Sequence, residues 1–197
     1  ASGNSSGWTG SCNIIAGYQG PGNISSGNNN IIMHYQDVMS CLSTGDHNIF
    51  LGNYSGHQIT TSDDNIFMGR MAGRCRQTGV YNIAFGKGAL LGSSTPANNT
   101  GSNNIALGQN AGSSITSGYS NILIGCHAGC SLTDGYRNVI IGDRESTTPG
   151  TSGDDNVFLG WNAGRCRTSG NRNVMLGCEA GQCMTGDDNF VVGHRAG

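Results

Sequence analysis

The sequence predicts an all-β chain, a parallel β-solenoid (β-roll) of about eleven coils of 17 residues each. Three observations carry that expectation. The stretch SNNIALGQNAGSSITSG, residues 102–118, is followed directly by YSNILIGCHAGCSLTDG, the same unit with different variable positions. Its Asn recurs eleven times, at Asn13, Asn30, Asn48, Asn65, Asn82, Asn104, Asn121, Asn138, Asn156, Asn173 and Asn189, with spacings of 17, 18, 17, 17, 22, 17, 17, 18, 17 and 16. A short period held that long marks a solenoid. Finally, apolar triplets rich in β-branched residues lie between glycines, which reads as a short strand closed by sharp corners.

In order along the chain, residues 1–12 lack the triplet and read as a partial coil or leader, and residues 13–197 form a single repeat domain. With the Asn numbered zero, position +1 is Ile, Val or Phe, position +3 is apolar throughout, and position +4 is Gly except at His34. Each coil is expected to hold this strand and a second one near +11, where Ile24, Ile59, Ile115, Leu132 and Met184 recur and Arg76 and Arg167 interrupt. The 22-residue copy at Asn82 should bulge as a loop over residues 93–100. Stacking of eleven rungs at roughly 4.8 Å gives a rod of roughly 50 Å, with the Asn column forming an amide ladder.

Strand side chains alternate between faces, so +1 and +3 are assigned to the interior and +2 to the outside. Position +2 is nonetheless apolar, and Ile15, Ile32, Phe50, Phe67, Leu123, Ile140, Phe158, Met175 and Val191 form an expected association stripe. So large an exposed apolar column would ordinarily need a cover. The expected partner is the chain itself, in a homo-oligomer or filament. The ends extend the same idea. The chain stops within a coil at Gly197 and residues 1–12 have the makeup of a half-coil, so head-to-tail completion between subunits is also expected.

Composition narrows the function. Net charge is −2 with no basic cluster, so nothing attracts nucleic acid, and no apolar run is long enough for membrane insertion. Eight Cys and four sequons, at Asn4, Asn23, Asn53 and Asn98, favour an extracellular, cell-surface or virion location. Cys126 with Cys130 and Cys178 with Cys183 are candidates for bridges within a coil, and Cys166 with Cys183 for a bridge between rungs. The Cys126-His127 pair and Cys130 have some metal-ligand character, but no fourth ligand is in sight, and no metal or other cofactor is expected. The acidic pairs Asp63–Asp64, Asp154–Asp155 and Asp187–Asp188 read as solvated turns. Tyr18, Tyr35, Tyr54 and Trp161 follow the corner position and are candidates for stacking on surface glycans. Thr60, Thr116, Thr133, Thr168 and Thr185, at +12, form a hydroxyl column broken by Gln77. Neither paired carboxylates nor a Ser-His-Asp set is found, so no catalytic residue is assigned and no enzyme is expected.

The units SNNIALGQNAG and YSNILIGCHAG resemble the repeats of phage and viral tail-fibre proteins and those in the heads of YadA-like trimeric autotransporter adhesins. The longer copy NIAFGKGALLGSSTPANNTG is similar to the tail-fibre version. The resemblance implies a left-handed parallel β-roll, often trimeric, in a fibre or an adhesin. The function expected is therefore a structural repeat protein that builds a fibre, with a glycan-binding adhesin or tail-fibre segment as the alternative.

Overall fold

The computed structural model describes residues 10–17, 26–34, 43–143, 152–165 and 169–197. Among these residues eleven strands lie in one parallel sheet in chain order: β1 (Ile14–Gly17), β2 (Ile31–His34), β3 (Ile49–Leu51), β4 (Ile66–Met68), β5 (Ile83–Phe85), β6 (Ile105–Leu107), β7 (Ile122–Ile124), β8 (Val139–Ile141), β9 (Val157–Leu159), β10 (Val174–Leu176) and β11 (Phe190–Val192). Each position pairs with its own equivalent one coil on, as Ile66 with Ile83 and Phe67 with Ala84. The fold is the parallel β-solenoid that the repeat predicts.

The second strand per coil is not formed among the described residues. Left-handed residues interrupt the described segments that follow the strands: in the Asn65 coil Gly69 has φ 132°, Met71 φ 63° and Gly73 φ 58°. Backbone bent this often cannot stay extended. Its hydrogen bonds still run between coils, from the Gly73 N–H to the Ala89 carbonyl (2.9 Å) and from the Thr116 N–H to the Thr133 carbonyl (2.8 Å). The +11 column is buried as expected, with Ile59, Ile115 and Leu132 in the core.

The inside and the outside of the strand are exchanged relative to expectation. Ile32, Phe50, Phe67, Leu123, Ile140, Phe158, Met175 and Val191 belong to the buried core, and Ile15 packs against it. They are not an external stripe. The coil is narrow, so one strand column fits inside, facing Ala at +7 and Gly at +8. A Cβ on Gly56 would lie 2.9 Å from Phe50 Cδ1, and one on Gly164 2.9 Å from Phe158 Cδ2. Where +2 shrinks to Ala84, position +8 of the same coil grows to Leu90, which is fully buried and lies against Gly112 of the next coil.

The Asn column forms the expected ladder. Asn82 Oδ1 accepts from the Asn104 backbone N–H (3.0 Å) and from Asn104 Nδ2 (3.2 Å), while Asn104 Nδ2 also donates to the Gly118 carbonyl (2.9 Å). The pattern repeats from Asn13 to Asn189. The residue before each Asn is left-handed in all eleven coils, with φ between 55° and 61°, including Tyr81, Arg137 and Arg172. The 22-residue coil accommodates its extra length in a loop with a 3-10 turn at Pro96–Asn98. Asn99 ties the loop down, its Nδ2 donating to the carbonyls of Cys75 (2.8 Å) and Ser93 (2.9 Å).

Candidate functional site

With +2 inside, positions +1 and +3 form the outer face of the sheet. That face is two columns of eleven side chains, and every one of them is apolar. Most are half-buried by their neighbours along the column, but Ile14, Met33, Phe85, Ile141, Leu159, Phe190 and Val192 are exposed, Phe190 by 74%. Eleven rungs by three strand residues make a flat surface of roughly 50 Å by 10 Å. The sequence signalled a surplus of apolar strand residues. It put the surplus on the wrong face, because all three positions of the triplet are apolar and no polar residue sets the phase.

The other faces are polar and largely self-satisfied. The first Asp of each acidic pair caps a backbone N–H of the preceding rung: Asp63 that of Asp46 (2.8 Å), Asp154 that of Tyr136 (3.0 Å) and Asp187 that of Asn171 (2.8 Å). The second Asp sits at the left-handed position, where an alternating column forms from Arg137, Asp155, Arg172 and Asp188. Arg137 reaches Asp155 at 2.6 and 2.7 Å, and Arg172 reaches Asp188 at 2.6 and 2.9 Å. The hydrogen-bonding guanidinium holds each of these two carboxyls below its ordinary value. These pairs are rung-to-rung braces. Thr60 and Thr116 likewise turn their hydroxyls to the next rung, onto the carbonyls of Gln77 (3.2 Å) and Thr133 (3.1 Å).

The cysteines depart from the expected bridges. Cys126 and Cys178 are free thiols, so neither is joined to Cys130 or Cys183. Cys126 Sγ instead faces His127 Nδ1 at 3.1 Å, and His127 Nε2 faces the Asn110 amide at 3.1 Å. Cys166, and with it the bridge between rungs, lies outside the described residues. Among the described residues no group of three or more His, Cys, Asp or Glu side chains is arranged to hold a metal.

Of the aromatic candidates, Tyr18 and Tyr35 lie outside the described residues. Tyr54 is covered by Arg74, whose guanidinium carbon is 5.3 Å from the ring centroid, and is flanked by His57. Trp161 is 45% exposed. The sequence reading passed over a second aromatic feature, the parallel stack of Tyr119 on Tyr136 at 4.9 Å. Tyr136 also borders an open groove of about 330 Å³ with Asp134, Ser152, Asp154, Ser169 and Asn171. Of the sequons, Asn4 and Asn23 lie outside the described residues. Asn98 and Thr100 are exposed on the loop, whereas the Ser55 hydroxyl that completes the Asn53 sequon is buried and donates to the Phe67 carbonyl (2.8 Å).

Comparison with protein-family models, with curated proteins and with solved structures finds no match to this chain.

Proposed function

We propose that this chain is a structural solenoid that associates laterally with further copies of itself, through the outer face of its sheet, to build a shaft or fibre outside the cell or on a virion. The observation that carries the reading is the all-apolar pair of columns at +1 and +3. A projected area of roughly 500 Å² is at the upper end of what a soluble monomer leaves exposed. Two such faces together approach the roughly 1,000 Å² of a specific interface. A second copy is the occupant that fits best, because it carries the same rung spacing. Aligned in parallel, like rungs meet at every level along the rod, whereas a surface of another period would drift out of register. The exposed sequon at Asn98, on the loop of the 22-residue coil, leaves room for a glycan on an assembled shaft.

Sedimentation equilibrium of the chain and of an Ile105→Asn/Leu107→Asn variant tests this. The expected result is an assembly of several 20.4 kDa subunits that the variant reduces to folded monomer. A wild-type chain that stays monomeric at high concentration would overturn it.

A second reading, capture of surface glycans by the turn faces, is favoured by exposed Trp161 and by the polar groove beside Tyr136. A glycan-array signal that disappears in Trp161→Ala or Tyr136→Ala would support this reading, and an empty array would remove it.

A further inference from the structure

We infer that Cys126 is an activated nucleophilic thiol, a site of covalent thiol–disulfide exchange, with His127 as its base and Asn110 as the residue that positions the imidazole. A nucleophile within hydrogen-bond reach of a base, which a third group orients in turn, is the arrangement that activates thiols. Here it is built from two adjacent rungs.

The turn geometry assembles it. His127 (φ 61°) and Asn110 (φ 55°) occupy the same left-handed position of successive coils. The His127 N–H donates to the Gln109 carbonyl at 2.8 Å, which fixes the two turns against each other. His127 Nδ1 is 3.1 Å from Cys126 Sγ, and Nε2 is 3.1 Å from the Asn110 amide. The Asn110 atom at Nε2 is Nδ2, a donor; when Nδ1 accepts the thiol proton Nε2 must carry its own hydrogen, and the amide then turns over by a half-turn so that Oδ1 accepts from it. Gly88, at the same position one rung earlier, leaves room for that amide. Cys126 is half-buried and remains reachable from solvent.

The step balances with a small-molecule disulfide as co-reactant. Nδ1 takes the Sγ proton and the thiolate attacks one sulfur of R–S–S–R. The new Sγ–S bond forms as the old S–S bond breaks. The leaving R–S⁻ then recovers the proton from Nδ1 as R–SH, leaving Cys126 as a mixed disulfide.

Competitive labelling of the folded, reduced chain with a limiting amount of 5,5′-dithiobis(2-nitrobenzoic acid), read out by peptide mass mapping, tests the assignment. Half-buried Cys126 should react ahead of exposed Cys12 by on the order of 100-fold, the scale of general-base assistance. His127→Asn, which retains a residue suited to the left-handed turn, should bring Cys126 down to the Cys12 rate, and Asn110→Ala should give an intermediate rate. Labelling of Cys126 no faster than of Cys12 in the wild-type chain would overturn the proposal without reference to any variant. So would an unchanged Cys126 rate in folded His127→Asn.

Discussion

Asn104 Oδ1 accepts two hydrogen bonds from Asn121, one from the backbone N–H (3.1 Å) and one from Nδ2 (2.9 Å). The pair is a single link in a buried chain of amides that spans every coil. Asn121 completes the set by donating to the Gly135 carbonyl (2.9 Å) and by accepting from the Asn138 N–H and Nδ2 (both 3.0 Å).

Asn121→Ala should therefore destabilise the chain by about 2–5 kcal/mol, since it leaves the buried Asn138 N–H without its acceptor and the Gly135 carbonyl without the Asn121 donor. Urea unfolding followed by circular dichroism measures this. A cost below about 1 kcal/mol would mean that the ladder sets register without carrying stability.

Phe67 and Phe85 give a matched test of which strand face is the core. Phe67, at +2, is fully buried, and Phe85, at +3, is 41% exposed. Phe67→Ala should cost about 3–5 kcal/mol, as truncation of buried aromatics does. Phe85→Ala should cost the isolated chain well under half of that, and its effect should appear in subunit association instead. Equal losses of unfolding free energy in monomeric material would contradict the assigned phase.

Arg76 should be a net liability. It occupies the +11 column, where other coils place Ile59 and Ile115, and it is completely buried. Its guanidinium donates to the Gly101 carbonyl, while Nε and Nη1 have no partner. Burial pushes its pKa down to about 10. A base whose value is lower when folded disfavours the folded state while it is charged in both states. The penalty is thus fully present below pH 10 and declines as pH rises from there toward the ordinary guanidinium value. Arg76→Ile removes the charge, and the Gly101 carbonyl keeps its bond from Asn82 Nδ2 (3.0 Å). Differential scanning calorimetry at neutral pH should show a higher melting temperature for Arg76→Ile, with the advantage shrinking in strong alkali. A lower melting temperature at neutral pH would show that the guanidinium is compensated within the coil.

The sequence made the strands, their register and the Asn ladder legible, because all three depend on a period that Asn and Gly mark directly. The facing of the strand was not legible from the triplet, since Ile66, Phe67 and Met68 are all apolar and alternation leaves no trace. The usable signal lay seven and eight residues after each Asn, at pairs such as Ala72-Gly73 and Ala163-Gly164. Such small residues are needed only opposite a large side chain pointing inward. The missing second strand has a similar cause. Its apolar column at Ile59 and Ile115 recurs as a strand would, but left-handed positions such as Tyr54 and Asn110, which do not look like turn formers as a set, break the backbone before it. Asn110, His127 and Cys126 could have been found from the repeat itself, because Asn110 and His127 are separated by one period of 17 residues.

The amide ladder also bears on how such a chain can change over generations. Each rung offers the next the same acceptor and receives the same pair of donors, so along the ladder every junction between coils is made by the same bonds. A genetic event that duplicates or removes one whole repeat leaves the ladder itself continuous, and the rod changes its reach by a single step of roughly 4.8 Å. Length is thereby open to selection in whole-repeat steps.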